Sequence, residues 1–302
     1  MGTPEFAVPS LNALLRDGSS IPVVVTAPDR PRGRGQRVSP TPVKVVALQQ
    51  GIRVLQPDSL RDPSFLDELL QARCDLMVVV AFRILPREVF MMPRLGCFNL
   101  HASLLPRYRG AAPINWAIIN GESETGVTTF FLEEKVDTGN ILLQRKIAID
   151  PADDAGSLHD KLAELGAEVV METVRLIERG GVQPKRQDDA QASPAPKIQR
   201  DDCHVAWSQS SEKVHNFIRG MSPHPAAFVL HNGKVLKLFR SRVLDAASAR
   251  EPGTVEVGPG QLSVHTRDRL LSIVELQVEG KKRMGIGEFL RGYSITTGER
   301  FT

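Results

Sequence analysis

The stretch Asn99–Gly110, NLHASLLPRYRG, decides how this chain is read. It continues Leu95-Gly96-Cys97-Phe98, an apolar run with the character of the end of a buried strand. Side chains alternate faces along a strand, so Asn99 and His101 share one face, while Phe98 and Leu100 take the other, toward a core. Pro106 and Gly110 then break the strand into a loop, where backbone groups can come close to a ligand. An amide and an imidazole at the carboxyl end of a buried strand stand where open α/β sheets place their chemistry. A histidine standing alone would be read as a hydrogen-bonded loop residue; the neighbouring asparagine and the loop that follows favour a site.

Outward from this stretch, the first 180 residues alternate between strand and helix character. Ile21–Thr26 (IPVVVT) and Asp75–Phe82 (DLMVVVAF) are continuous apolar runs, as in parallel strands buried on both faces. Helices are predicted over 42–50, 63–72 and 110–120, the second with Asp62 as N-cap and Pro63 at its first position. Residues 126–132 and 140–149 read as a strand pair around a turn at 133–139. From 156 to 179, Leu158, Leu162, Leu165, Val169, Val174 and Ile177 recur at helical spacing and should close a domain spanning 1–180. Residues 181–202 are polar, carry Pro184, Pro194 and Pro196, and have the composition of an exposed linker. Within 203–302, a short helix at 210–220 precedes strand-like stretches at 227–230, 235–241, 254–257, 262–266 and 270–277. Short strands at this spacing, with glycine turns, suggest a small barrel.

Composition narrows the classes. The 302 residues suffice for two domains, and 41% hydrophobic with 24% charged residues is ordinary for a globular chain. No apolar run approaches the roughly 20 residues needed to cross a bilayer, and no basic-then-apolar leader opens the chain. Met1-Gly2 hints at myristoylation, but Phe6 stands where that signal needs Ser or Thr. Cys74, Cys97 and Cys203 are too few and too scattered for a disulfide framework or a zinc site, so a reducing, cytoplasmic setting is expected, with no metal and no membrane partner. The net charge of +3 does not announce a nucleic-acid binder by itself, and the distribution of charge must decide. Arg30, Arg32, Arg34 and Arg37 cluster in one glycine-punctuated loop opposed only by Asp29, with Lys44 just beyond. Such a loop is usually a solvated surface, yet four arginines also suit phosphate contacts. Lys234, Lys237, Arg240, Arg242, Lys281, Lys282 and Arg283 could extend the track.

Asn-x-His followed by SLLPRYRGAAPI resembles the folate-dependent formyltransferases, most of all those acting on methionyl-tRNA. GTPEFAVPSL at Gly2, PDRPRGRG with TPVK near Pro40, VVVAFRILP at Val78–Pro86, GVTTF at Gly126 and VDTGNIL at Val136 agree in the same order. Weaker agreement continues through WSQSSEKVHNFIRGMSPHPAA from Trp207 and GKKRM at Gly280–Met284. The resemblance implies an α/β, Rossmann-like parallel-sheet catalytic domain followed by an OB-like β-barrel that binds tRNA. It implies 10-formyl-tetrahydrofolate as formyl donor and methionyl-initiator tRNA as acceptor, and the chain is expected to act as a monomer.

Formyl transfer to an amine needs a free amine, polarisation of the formyl carbonyl, and proton movement. Asn99 can donate an amide N–H to the oxyanion. His101 can take the proton lost by the attacking nitrogen and pass one to the leaving folate nitrogen. A carboxylate should orient that imidazole, and Asp137 of VDTGN matches the family's catalytic aspartate, although Asp-Thr-Gly is also ordinary turn chemistry. The same letters occur in aspartic proteases, which need a second carboxylate segment; no second one appears here. The folate is expected against the backbone of Ser103, Leu104, Leu105 and Pro106 and against the loop Phe82, Ile84, Leu85. Arg83 replaces the bulkier, glycine-containing segment of many family members, which puts the contacts there in doubt. Gly2-Thr3-Pro4 lacks the spaced glycines of a dinucleotide site, so no NAD is inferred.

Two rivals stay open: a related formyltransferase or formyl-folate hydrolase with a small-molecule acceptor, and a non-catalytic RNA-binding protein on the same fold. The arginine loop speaks against the first, and Asn99, His101 and Asp137 against the second. A doubly wound sheet also normally opens with a buried strand feeding its first glycine loop, whereas here Met1 stands where that strand should be ending. The expectation is an N-terminally truncated chain with a vacant strand position and unpaired neighbours.

Overall fold

The computed structural model describes residues 1–32 and 37–302, with the side chains of Arg32 and Arg37 outside the described set. Two compact units are built from interleaved stretches of chain. The first comprises Met1–Gly110, Thr125–Ile147 and His159–Pro194; the second comprises Ala111–Glu124, Ala148–Leu158 and Ala195–Thr302.

In the first unit the apolar runs become parallel strands. Val24–Val25 pairs with Val54–Leu55, and Met77–Val80 pairs with Cys97–His101, both in parallel. The run at 21–26 is strand only at its centre. Cys97–His101 then pairs antiparallel with Glu124–Phe131, whose other neighbour is Ile141–Ala148. The nine residues between these last two strands are too few for a parallel crossover, so the strands form a hairpin. The helices Pro42–Gln49 and Pro63–Gln71 start on prolines, and their caps are side-chain oxygens: Thr41 accepts from Lys44 N–H and Asp62 from Ser64 N–H. Of the predicted positions within this unit, the long helix Ala155–Glu178 buries Leu162, Val169, Val174 and Ile177, with Leu165 half-buried and Val170 added to the buried face.

Between the pair Val24–Val25/Val54–Leu55 and the four-stranded sheet, Met1 and Gly2 supply the rungs. Gly2 N–H donates to Val25 O at 3.0 Å, Val80 N–H donates to Met1 O at 2.9 Å, and the N-terminal ammonium donates to Val78 O at 2.6 Å. A cavity of about 410 Å³ adjoins these rungs, lined by Val24, Val25, Leu69, Met77 and Val78 among others. Burial pushes the Met1 amine down from 8.0 to about 6 and the Cys97 thiol up to about 12. All three cysteines are free thiols.

The stretch read as linker has mostly exposed side chains over 181–192, Gln187 apart, yet its backbone is docked at two points. Lys185 and Ile141 exchange backbone hydrogen bonds at 2.8 Å, and Ser193 O accepts from Arg109 N–H at 2.9 Å. Its sequence hides this because the contacts are made by backbone and amide groups, not by apolar side chains.

The second unit carries a six-stranded antiparallel sheet in the order Ala227–His231, Lys234–Ala247, Arg269–Val278, Gln261–His265, Val255–Gly258, with Met284–Gly285 also on Arg269–Val278. The expected barrel is not closed by a strand ladder: among the described residues the sheet is open, its outer strands unpaired with each other. The C-terminal tail bonds to both outer strands instead, Thr302 exchanging hydrogen bonds with Leu230, and Glu299 O accepting from Val255 N–H. One face packs Val229, Leu236, Leu238, Leu262, Val264, Leu271 and Ile273 against the helix Ser211–Met221. The helix Pro113–Ile119 lies so close to Ser211–Met221 that a Cβ on Gly220 would fall 2.6 Å from Ile119 Cγ1. No described helix is long and apolar enough to cross a membrane.

Candidate active site

The strand Cys97–His101 is central in its sheet, so its carboxyl end is held from both sides: Asn99 lies opposite Val79 and Phe130, and His101 opposite Thr128. Phe98 and Leu100 are buried, as alternation requires, and Asn99 is half-buried on the face it shares with His101. Among the described residues the Asn99 side-chain amide makes no hydrogen bond, which leaves its N–H groups for a ligand.

His101 has its tautomer dictated by its neighbour. Nε2 lies 2.8 Å from Tyr108 O. A carbonyl oxygen only accepts, so Nε2 carries the hydrogen and the Nδ1 lone pair stays available for a proton. Nδ1 stands 3.8 Å from Asp137 Oδ2, with the two side chains 7% and 11% exposed. That separation is too long for a hydrogen bond but short enough for a carboxylate to stabilise an imidazolium formed at Nδ1. Asp137 Oδ2 is itself anchored by Gly110 N–H at 2.9 Å. Asp137 adopts φ 55°, left-handed and uncommon for a residue with a side chain. The three residues singled out in the sequence thus include one contacting pair, His101 and Asp137, and one same-face neighbour, Asn99.

The loop Ser103–Pro106 is held by groups that the sequence did not advertise. Thr128 Oγ1 donates to Ser103 O at 2.6 Å and accepts from Leu105 N–H at 3.1 Å. Gln144 Nε2 donates to Leu105 O at 2.7 Å and to Thr128 Oγ1 at 3.0 Å. Ser103 is fully buried, its hydroxyl donating to Arg107 O, and Leu105 packs with Phe130 and Ile141. What Ser103 and Leu105 offer a ligand is therefore backbone, whereas Leu104 and Pro106 remain half-buried.

The second candidate loop divides differently. Leu85 is buried in a core cluster with Val25 and Val79, Phe82 packs against that cluster, and Ile84 is 75% exposed. Arg83 donates to Asp58 O and Pro57 O and lies 5.3 Å from the Phe82 ring centroid, so it braces this loop from behind. Ile84 is the apolar side chain that this segment leaves exposed.

Of the arginine cluster, Arg30 is exposed at the start of a two-stranded hairpin in which Arg30–Arg32 pairs with Arg37–Ser39. Arg34 and the side chains of Arg32 and Arg37 lie outside the described residues. Lys44 is engaged by Asp29 at 2.5 Å. In the second unit Lys234, Lys237, Arg240 and Arg242 are all exposed along one strand, Lys234–Ala247. Arg283 lies over Phe239 at 4.3 Å and pairs with Glu275. No cluster of metal-binding side chains occurs among the described residues.

The chain matches the formyl transferase family over residues 1–174 and the family's C-terminal domain over 197–294. It belongs to the formyl transferase family. A methionyl-tRNA formyltransferase of Caldanaerobacter subterraneus is 48% identical over 99% of this chain and 97% of its own length. Another, of Clostridioides difficile, is 43% identical over 99% and 97%. Among solved structures, the sugar 3N-formyl transferase WlaRD aligns with a TM-score of 0.69 at 23% identity, covering 93% of this chain and 97% of that one. HypX of Aquifex aeolicus, solved with tetrahydrofolic acid, aligns with a TM-score of 0.60 at 20% identity over 84% of this chain and 47% of its own. At those identities the two structures speak for the fold alone.

Proposed function

We propose that this formyltransferase moves the formyl group of 10-formyl-tetrahydrofolate to the free α-amino group of methionyl-initiator tRNA, ahead of translation initiation, acting in the cytoplasm as a monomer. The observation that carries the chemistry is His101: its Nε2 hydrogen is committed to Tyr108 O, and its Nδ1 is open beside Asp137. The acceptor is supported by the curated relatives, which match the chain along nearly its whole length under that name.

A free α-amino group has a pKa of about 7.7–8.0, and esterification of the neighbouring carboxyl lowers it, so much of the amine is neutral without activation. The larger demand is the negative charge that develops on the formyl oxygen. Asn99 supplies an amide N–H there, a contact of a kind worth about 2.7–4 kcal/mol. His101 Nδ1 takes the proton shed by the attacking nitrogen, and the Asp137 carboxylate offsets the charge so formed. The same proton then goes to the departing folate nitrogen. The donor would be held by the backbone of Ser103, Leu104, Leu105 and Pro106, with Phe82, Ile84 and Leu85 forming the apolar wall, of which Ile84 presents most surface.

On this reading residues 1–180 hold a Rossmann-like catalytic domain, 181–202 join it to the rest, and 203–302 form an OB-like, tRNA-binding domain whose tail supports closure of the sheet. Arg30, Arg32, Arg34 and Arg37 would contact tRNA phosphates. The test is formylation of charged initiator tRNA with the folate donor, beside a control without tRNA that follows donor loss. Product on the tRNA supports the reading; donor loss without tRNA identifies a hydrolase, and neither event identifies a non-catalytic protein.

A further inference from the structure

Gln187 lies in the polar, proline-bearing stretch that composition marks as linker, yet it is only 6% exposed. Its Nε2 donates to Asp137 O at 2.9 Å and to Gly139 O at 2.8 Å. Its Oε1 accepts from Arg109 Nε at 3.1 Å and from a terminal Arg109 nitrogen at 2.7 Å. Both amide hydrogens and both oxygen lone pairs are therefore used, which fixes the amide's orientation. Asp189 grips the same guanidinium at 2.7 Å, and that contact holds its carboxyl below the usual carboxylate range.

We propose that Gln187 is a positioning residue, setting the Asp137 carboxylate against His101 for the formyl transfer described above, on which reading this inference rests. The turn that carries Asp137 is otherwise held by Thr138 Oγ1, which donates to Lys135 O at 3.0 Å, and by the exposed Arg87–Glu134 pair. Gly139 is wedged so closely that a Cβ would lie 1.7 Å from Phe131 O, which fixes one end. Asp137 itself sits at φ 55°, a left-handed turn conformation that aspartate tolerates better than most residues but that local contacts still have to select. Gln187 supplies such contacts by binding the carbonyls on both sides of Thr138. Through Arg109 it also fixes the residue preceding Gly110, whose N–H anchors Asp137 Oδ2. One amide thus ties down the turn bearing the carboxylate and the strand that receives it. Ser193, on the same stretch, accepts from Tyr108 N–H at 2.9 Å, steadying the residue whose carbonyl orients His101.

The test compares Gln187→Met, which keeps length and loses every hydrogen bond, with Gln187→Glu, which keeps the acceptor for Arg109 and loses both donors. Both should lower kcat by about 10- to 100-fold, the scale of a misplaced catalytic group, and leave KM for donor and for charged tRNA within about threefold. In an Asp137→Ala background Gln187→Met should cost nothing further, because the residue acts through Asp137. Independently of turnover, the ¹⁵N resonance of His101 Nδ1 should move in Gln187→Met as it does in Asp137→Ala, with thermal unfolding showing the chain still folded. An undiminished loss in the Asp137→Ala background, or an unmoved Nδ1 resonance, would overturn the proposal. Failure of the wild-type chain to formylate methionyl-tRNA would instead refute the substrate reading, with the resonance still deciding the role of Gln187.

Discussion

Thr128→Val isolates the device that shapes the loop after the catalytic strand. Valine fills nearly the same volume as threonine but has no hydroxyl, and Thr128 is fully buried, so water cannot replace what is lost. Leu105 N–H loses the acceptor it holds at 3.1 Å; a buried donor left without a partner costs about 1–3 kcal/mol. Ser103 O loses its 2.6 Å donor, a further net loss of about 0.5–1.5 kcal/mol. Gln144 loses its 3.0 Å bond to Thr128 Oγ1 but keeps its bond to Leu105 O, which limits the damage. The expected total is a fall of about 1.5–4.5 kcal/mol in the unfolding free energy of the first unit. Urea unfolding followed by circular dichroism reads it, with Thr128→Ser as control: that variant keeps the hydroxyl and should lose only about 0.8 kcal/mol for the methyl. Donor affinity should fall in Thr128→Val, because the backbone of Ser103–Pro106 would no longer be preorganised. A Thr128→Val chain within about 0.5 kcal/mol of wild type would refute the view that this hydroxyl organises the loop.

Replacing His101 or Asp137 by Ala should remove most turnover and leave tRNA affinity near normal, since their contacts act in the transition state; a His101→Ala enzyme with wild-type turnover would sink the mechanism. Asn99→Asp should be at least as harmful in the same assay, because it turns a negative charge toward the developing oxyanion. Neutralising Arg32, Arg34 and Arg37 together should weaken tRNA binding and flatten its salt dependence while sparing the donor; a fall in donor affinity with an unchanged salt slope would assign the loop to the wrong ligand. The Met1 amine, held at about 6 in the fold against 8.0 as the ordinary value, binds its proton less readily native than unfolded. Stability should therefore rise from pH 6 to pH 8 and level off above, by about 2–3 kcal/mol from this group. Urea midpoints across that range should show a rise that α-amino acetylation removes, and identical profiles with and without acetylation would contradict it.

Local signals carried far in this chain. Asp62 and Pro63 located a helix start to the residue, because a cap and a fixed φ are properties of two neighbours. The alternation around Asn99 and His101 likewise put Phe98 and Leu100 in the core, although Cys97 and His101 on the opposite face are buried as well. What the sequence hid depends on where distant strands and loops meet. Thr128 reads as one polar residue inside GVTTF, and only the pairing opposite His101 places its hydroxyl under the SLLP loop. Gln187 sits fifty positions from Asp137 in a stretch whose polarity, read alone, means solvent. The apolar run at 21–26 overstated its strand, which begins only after Pro22, and the roles of Leu85 and Leu105 are divided between core and loop in ways that periodicity cannot separate.

The interleaving of the two units has a consequence for how the chain is made. The helix Pro113–Ile119 belongs with the C-terminal unit, where Asn115 bonds to Gly220 O at 2.7 Å, yet its partner helix Ser211–Met221 is synthesised only about 90 residues later. At about 5–20 residues per second on the ribosome, that helix waits about 5–20 s for its docking surface. Ile119, which packs against the core cluster containing Val214, Ile218 and Met221 in the finished fold, is uncovered for that interval. The nascent chain should accordingly present a short apolar segment to chaperones midway through translation. A gene cut once between its halves would leave the same helix without its partner in one fragment, and Ser211–Met221 without its neighbour in the other.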